Sequence, residues 1–537
     1  MKKDSLIKGT LILALAALIA RVLGIAQRVP LKHMLGDSVM ASFGIAYNIY
    51  GVLLIVATAG IPSALSKLIS ERAETGKIGE VNRIFRASMS FAVITGALLT
   101  VILYFGAPYY AVHIAEDPEA TLAIRALAPA LLLFPMIAML RGYFQGLRFM
   151  LAGGMSQIVE QFMRVATAVV LAYLLLEWGY SDRVAVAGAS FGGVMGSIGA
   201  ILVMLYYFIR YRKSAKLQSD TREDQSAKLT LAQTYKMIFA YALPITFSSL
   251  AVPIIYFIDS STVITLLKGE FGYAAAKEAL GILTTRAQSL AGIPIILAIA
   301  VAQSTLPIIS AAYARGDNEE VGRRGSQAIW LTTVFGLWII LAIVAAARPV
   351  NGFIFGDTKG TDTIIMLTLT SLLQIVMLTS SSILAGLGRM KQSAIHVYIG
   401  ISIKLIATFL LSRWIGMYGV IGSTLLCFAV ISGLNFRLIR RYMKLSVLEG
   451  RWIAMAGTVV LSLSVGFGLD VSAKRWITAF AAPVDYFLQT VVVSGVTSAI
   501  FVILLFVLGV IRSDELEFMP VRIRRLASRI IRKSKSV

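Results

Sequence analysis

LISERAETGKIGEVNRIFRAS at residues 68–88 and IISAAYARGDNEEVGRRGSQA at residues 308–328 are the two stretches whose comparison decides the fold. A shift of 240 residues lays Ser70 on Ser310, Gly76 on Gly316, Val81 on Val321 and Arg83 on Arg323. The same shift lays Thr121 on Thr361, Gly146 on Gly386 and Met150 on Met390, and sets Arg164 against Lys404. Matches among aliphatic residues carry little, because apolar sequence has low complexity. Matched glycines and arginines in polar segments carry more, and the chain reads as a duplicated unit.

Outward from these polar segments the sequence is strongly apolar. Of 537 residues, 58% are hydrophobic and 15% charged, and the mean hydropathy of +0.80 lies far beyond that of a soluble globular protein. About 311 apolar residues, at roughly 20 per bilayer-crossing helix, supply on the order of 14 spans. Runs broken by charge or by Gly/Pro clusters fall near 6–28, 38–66, 84–106, 121–141, 155–177, 184–209, 237–267, 281–311, 324–347, 363–385, 393–412, 417–437, 452–469 and 486–511. The N-terminal MKKDSLIKGTLILALAALIAR lacks a small-x-small cleavage site and reads as the first span rather than a signal peptide. Pro62, Pro129, Pro135, Pro244, Pro253, Pro294 and Pro307 lie inside runs, as in helices bent around a cavity.

The expected fold is an all-α polytopic membrane protein of about 14 helices. The expected parts are a first lobe (residues 1–212), a linker (213–236), a second lobe (237–444), two extra helices (445–511) and a basic tail (512–537). Six spans per lobe is an even number, so the lobes share one orientation and form a parallel repeat about an axis along the membrane normal. An ordinary soluble enzyme and a single-anchor protein are both excluded.

A formal charge of +22 accompanies this apolarity. With the N-terminus inside, the cytoplasmic segments hold about 35 of the 50 Lys and Arg and the outer loops about 10, which places both termini in the cytoplasm. The tail RIRRLASRIIRKSK sets Ile523, Leu526, Ile530 and Ile531 roughly on one helical face, a pattern suited to anionic lipid at the inner leaflet and not to nucleic acid. The single cysteine, Cys427, lies in LLCFAVI, and His33, His113 and His396 are scattered, so neither a disulfide nor a zinc site is expected. The chain lacks the phosphate-loop motif G-x-x-x-x-G-K-[ST], and no cofactor is expected.

The ionisable residues left inside the runs are Arg21, Arg125, Glu160, Arg164, Asp259, Arg286 and Lys404. Each needs a partner, a watery cavity or an interface, since a charge at the bilayer centre costs at least ~2.5 kcal/mol. Cations exceed anions, which suits an anionic ligand, because guanidinium pairs bidentately with phosphate. Glu160 and Arg164, four apart, match an intrahelical pair. Asp259 and Lys404 match a buried pair between spans 7 and 11, and Arg125 lies close enough to a span end to reach headgroups. Arg28 lies just past Arg21 at the outer interface. Arg21, in ALIARVLG, and Arg286, in TTRAQSLAG, have no acid one turn away.

KGTLILALAALIARVLGIAQR (8–28), AGIPSALSKLISE (59–71), RGYFQG (141–146) with SQIVEQFMRV (156–165), and TTRAQSLAGIP (284–294) resemble the MurJ lipid II flippases, especially their SpoVB-like Gram-positive branch. That family belongs to the superfamily of multidrug, oligosaccharidyl-lipid and polysaccharide exporters, and the resemblance covers essentially the whole chain. It implies a V-shaped, monomeric transporter without enzyme activity. Its cargo would be a lipid-linked oligosaccharide pyrophosphate, the peptidoglycan precursor lipid II, carried from the inner to the outer leaflet of the cytoplasmic membrane by alternating access. By position, the substrate arginines implied are Arg21, Arg28 and Arg286. A second family arginine aligns with Gln27, one residue before Arg28, and the arginine and acid of span 2 in some members find Ile55 and Ala59 here. Some relatives bind sodium between spans 7 and 11; Asp259 fits that place, and Lys404 supplies an ammonium that would stand in for the ion.

Three other readings stay open, the first a flippase for another lipid-linked polysaccharide unit or for a spore-cortex precursor. A multidrug exporter of the same superfamily would need acids and aromatics toward cationic cargo. A membrane-embedded glycosyl- or acyltransferase would need paired carboxylates near a membrane face, and the outer loops with Glu116, Asp117 and Glu119, or with Asp357 and Asp362, are short and lack aromatic clustering.

Overall fold

The computed structural model describes residues 6–216, 230–445, 447–448, 450–477 and 482–511. Most of the linker and the basic tail, including the amphipathic stretch Arg522–Lys535, lie outside the described residues. Every regular element among the described residues is helical. The first half comprises α1 (Leu6–Thr58), α2 (Ile61–Glu74), α3 (Ile78–Tyr109) with a π turn at Tyr110–Ile114, α4 (Ala120–Leu127), α5 (Ala130–Gly146), α6 (Met150–Glu177) and α7 (Asp182–Lys216). Then follow α8 (Leu231–Ser249), α9 (Ala251–Phe271), α10 (Tyr273–Gly281), a π turn at Ile282–Ala287, α11 (Gln288–Ala314), α12 (Asn318–Ala345), α13 (Ala347–Phe355), α14 (Thr361–Gly386) and α15 (Met390–Ile439). The chain closes with α16 (Trp452–Trp476) and α17 (Ala482–Val507).

Among the described residues, twelve helical stretches are long and apolar enough to cross a bilayer. Two of them contain a break that divides them into separate passes. In Leu15–Glu74 it lies at Gly36, with φ 74° and ψ 168°. In Met390–Ile439 it lies at Ile415–Gly416, where Gly416 has φ 53° and ψ −128°. Counting each broken stretch twice gives the fourteen spans expected. The protein is a multi-pass membrane protein. On α3, Ile94, Leu98, Val101 and Phe105 form an exposed apolar stripe, Phe105 at 71%, which is stable against lipid and not against water. Exposed Trp452 and Trp476 mark the two ends of α16, about 36 Å apart at 1.5 Å per residue and placed as interfacial tryptophans are.

By packing, the chain forms two units. One comprises residues 1–285 with 390–420, and the other residues 286–389 with 421–537. In the first, α6 packs along α1 and α7, while α5 crosses α2 and α3. In the second, α11, α12 and α14 pack against one another, and α16 and α17 cover α12 through a core of Trp330, Val334, Leu337 and Leu341 with Phe501 and Leu505.

The repeat is written into backbone geometry at the same spacing. Gly76 and Gly316 both end a helix at positive φ, 72° and 74°. Lys77 N then bonds Arg72 O at 3.0 Å, as Asp317 N bonds Ala312 O at 3.2 Å. A Cβ on Gly146 would fall 2.7 Å from Ser66 O and 2.8 Å from Ile69 Cβ. A Cβ on Gly386 would fall 3.1 Å from Leu306 O and 2.8 Å from Ile309 Cβ. The four neighbours are themselves related by the 240-residue shift, so one helix crossing is built twice.

Candidate functional site

Helix α1 begins as an apolar helix with no acid between Leu6 and Gly36. Arg21 and Arg28 lie seven residues apart, hence on one face and about 10 Å apart along the axis. Arg21 is exposed and Arg28 half-buried. Arg28 Nη1 donates to Thr284 O at 2.7 Å, and Arg21, Tyr47 and Tyr256 are near enough to act on Arg28 electrostatically. Gln27 is buried beside them, against the Tyr47 hydroxyl. Thr284 belongs to the π turn Ile282–Ala287, a local irregularity of the kind that recurs at functional sites.

Arg286 lies on that same π turn and is fully buried. It forms a two-pronged pair with Asp357, Nη1 to Oδ1 at 2.6 Å and Nη2 to Oδ2 at 3.0 Å. Nη1 also reaches Asn351 Oδ1 at 3.2 Å and Lys359 O at 3.3 Å, and the guanidinium lies over the Phe355 ring at 5.5 Å. Asn351 Nδ2 in turn donates to Lys359 O at 2.8 Å and Thr361 Oγ1 at 3.1 Å. The network ties the end of α13 and the start of α14 to the π turn, and the fork that would grip a phosphate holds a carboxylate of the same shape.

Glu160 and Arg164 pair within α6, and Glu160 also accepts from Arg141 Nη2 at 2.8 Å. Arg141 Nε donates to Ser156 Oγ at 2.7 Å, while Arg164 Nε is buried without a hydrogen-bond partner. Lys404 Nζ lies 2.6 Å from Asp259 Oδ1, both residues buried. Repeat-related Arg164 and Lys404 thus meet their acids differently, one on its own helix and one across from α15 to α9. Arg125 Nε donates to Tyr104 O at 3.2 Å, with its guanidinium 5.2 Å from the Tyr104 ring.

Sequence reasoning missed the partners that tertiary structure supplies. Asp357 was noted only as an outer-loop acid, although a buried guanidinium requires an acid and Asp357 follows the next span. Arg141, at the end of the run 121–141, carries no partner in the sequence pattern. The acids of the 116–119 loop are held by lysines. Asp117, fully buried, accepts from Lys277 Nζ at 2.8 Å and Ser42 Oγ at 2.5 Å; Glu119 also pairs with Lys277, and Glu116 with Lys268.

The chain is 28% identical over 525 residues to the uncharacterized membrane protein YabM of Bacillus subtilis, covering 97% of this chain and 96% of that protein. It is 27% identical over 493 residues to the lipid II flippase MurJ of Bacillus subtilis, covering 89% and 90%. A solved lipid II flippase MurJ in an inward closed conformation shares the fold, with a TM-score of 0.62 at 15% identity over 91% of this chain and 98% of that one. The family model described as polysaccharide biosynthesis protein matches residues 6–313, and the chain belongs to that family.

Proposed function

We propose that the chain is a flippase that carries a polyprenyl-pyrophosphate-linked peptidoglycan precursor, lipid II, from the inner to the outer leaflet of the cytoplasmic membrane. The observation that carries this reading is the arginine pair of α1: two guanidinium groups on one face of a membrane helix with no acid in its first thirty residues. A pyrophosphate offers the oxygens that two such forks accept. The near full-length similarity to a protein named lipid II flippase supports the same cargo.

In the cycle, Arg21 and Arg28 replace the hydration of the pyrophosphate while the lipid tail stays in the bilayer, and Arg286 is the third arginine offered to the cargo, once Asp357 releases its fork. The repeat halves, 1–212 and 237–444, act as the lobes whose rocking exposes the headgroup on the other side. Carrying about two negative charges outward against an inside-negative potential gains on the order of 4 kcal/mol per 100 mV, enough to drive the cycle without a nucleotide. Both termini lie in the cytoplasm, the chain works as a monomer, and the basic tail rests on anionic lipid.

The test is complementation of cells depleted of their own lipid II flippase. Wild-type chain should restore growth, and Arg21→Ala with Arg28→Ala should abolish rescue at unchanged membrane abundance. Full rescue by that double variant removes the pair from the site, and no rescue by the wild type removes lipid II as the cargo.

A further inference from the structure

The repeat brings out one place where the halves differ in kind. In the first half, Ile61, Ala64, Leu65 and Leu68 of α2 meet Ile84 and Ala87 of α3, all six buried. Helix α8 closes over them, with Ile238 and Ala242 in the same apolar core and Tyr235 Oη donating to Ala87 O at 3.1 Å. The 240-residue shift carries those six positions to Val301, Ser304, Thr305, Ile308, Arg324 and Gln327. In the second half the same six positions, with Ala328 and Leu331, line a cavity of about 180 Å³ between α11 and α12. Ser304 stands for Ala64, Thr305 for Leu65, Arg324 for Ile84 and Gln327 for Ala87, so where the first half has a filled core the second has a cavity with polar side chains in a largely apolar lining.

Arg324 lies within two turns of the start of α12, beside the charged segment Arg315–Arg323 that marks the end of the membrane-crossing helices. Its Nε is buried without a hydrogen-bond partner. Glu320 Oε1 stands 3.6 Å from that nitrogen, while Glu320 Oε2 already accepts from Arg315 Nη2 at 2.6 Å. One carboxylate thus faces two guanidinium groups, and neither of its oxygens satisfies Arg324 Nε. Arg324 Nη1 reaches Gln327 Oε1 at 3.5 Å. The hydroxyls of Ser304 and Thr305 donate to Val301 O at 2.9 and 2.7 Å, so the donors turned to an occupant are the guanidinium and the Gln327 amide. Val301, Ile308 and Leu331 make the remaining wall apolar.

We propose that this α11–α12 cavity binds the phosphate of an anionic phospholipid, with Arg324 on the phosphate and Val301, Ile308 and Leu331 against the adjoining acyl chain. A phosphate oxygen completes a guanidinium, and an apolar wall rewards an acyl chain. A free phosphate would leave that wall uncovered. The site requires only a membrane around α11 and α12 and does not depend on the cargo proposed above.

The full chain purified in nonionic detergent, incubated with phosphatidylglycerol and read by native mass spectrometry, tests this. The wild type should retain a tightly held phosphatidylglycerol that Arg324→Ile, the first-half residue, holds about tenfold more weakly. Arg324→Lys should retain it in part. Ser304→Trp, a substitution at an exposed position that fills the cavity and leaves Arg324 in place, should expel it and keeps the test alive if Arg324→Ile fails to fold. Unchanged retention in Ser304→Trp overturns the site. Displacement by equimolar inorganic phosphate overturns the lipid as occupant, and retention of a polyprenyl pyrophosphate but not of phosphatidylglycerol overturns the bulk lipid in favour of cargo.

Discussion

Replacing Lys404 by methionine keeps the length of the side chain and removes the ammonium from Asp259, whose Oδ1 lies 2.6 Å from it. Lys404 is fully buried and Asp259 is 3% exposed, so water cannot take over the carboxylate that remains. Breaking one partner of such a pair costs about 3–5 kcal/mol, whereas replacing both partners by apolar side chains of similar volume is about neutral or stabilising. Lys404→Met and Asp259→Leu should therefore each lower stability by that amount, and the double variant should lie within about 1 kcal/mol of wild type. Equilibrium unfolding in detergent micelles, followed by the fluorescence of the six tryptophans, gives all four corners of the cycle. The coupling energy should then be several kcal/mol, far above the few tenths expected of sites that do not touch. Additive losses in the double variant would refute a direct buried pair. The double variant also separates packing from transport: a stable chain that no longer complements would assign the pair a role in the cycle.

Three further outcomes follow from the same geometry. Gly146→Ala and Gly386→Ala each force a Cβ to within 2.8 Å of an isoleucine Cβ, so each should cost about 1–3 kcal/mol in the same unfolding assay; a neutral result at either position would break the equivalence of the two crossings. Asp357→Asn withdraws the carboxylate from buried Arg286 and should destabilise the chain by about 3 kcal/mol or more, with protease cleavage between Gly356 and Thr361 as the local readout, and resistance equal to wild type would contradict the network. If Lys404 fills the place of a cation at Asp259, sodium should leave the melting temperature unchanged; a sodium-dependent rise that disappears in Asp259→Ala would sink that reading.

The spans were legible because lipid and protein interior both demand apolar side chains, so an apolar run marks a helix whichever surface it meets. Their ends were less so. The run 38–66 is broken at Ala59–Gly60, both at positive φ, and resumes as α2, which runs on to Glu74 because Lys67, Glu71 and Arg72 lie on its outer side while Leu68 and Ile69 stay buried. The run 237–267 is two helices meeting at Leu250, with Pro253 tolerated in the first turn of α9. The nine-residue α13 went unread because so short a segment carries no periodicity of its own. At the candidate site, Glu160 with Arg164 is local and visible at a spacing of four. The 145 residues between Asp259 and Lys404 and the 71 between Arg286 and Asp357 are spanned only by helix packing, which no single-sequence pattern specifies.

Partner assignment changes where the positive charge of the interior lies. The residues singled out inside the runs are five cations and two anions, an excess spread over both halves. With contacts in place, Arg286 is matched by Asp357 and Lys404 by Asp259, one acid to each cation. In the first half, Arg141 and Arg164 share the single carboxylate of Glu160, and Arg21 and Arg28 lie on a helix segment without acids. The excess therefore concentrates among α1, α5 and α6, within one packed unit. Because the field of a buried charge decays slowly in a medium of low polarizability, a guanidinium of this group adds to the attraction its neighbours exert on an anion. Under the function proposed above, an anion bound there would gain from several cations while hydrogen-bonding to two, and that attraction would have to weaken for the cargo to leave. Under the same proposal, the second-half arginine held by a two-pronged carboxylate is a charge withheld until Asp357 lets go.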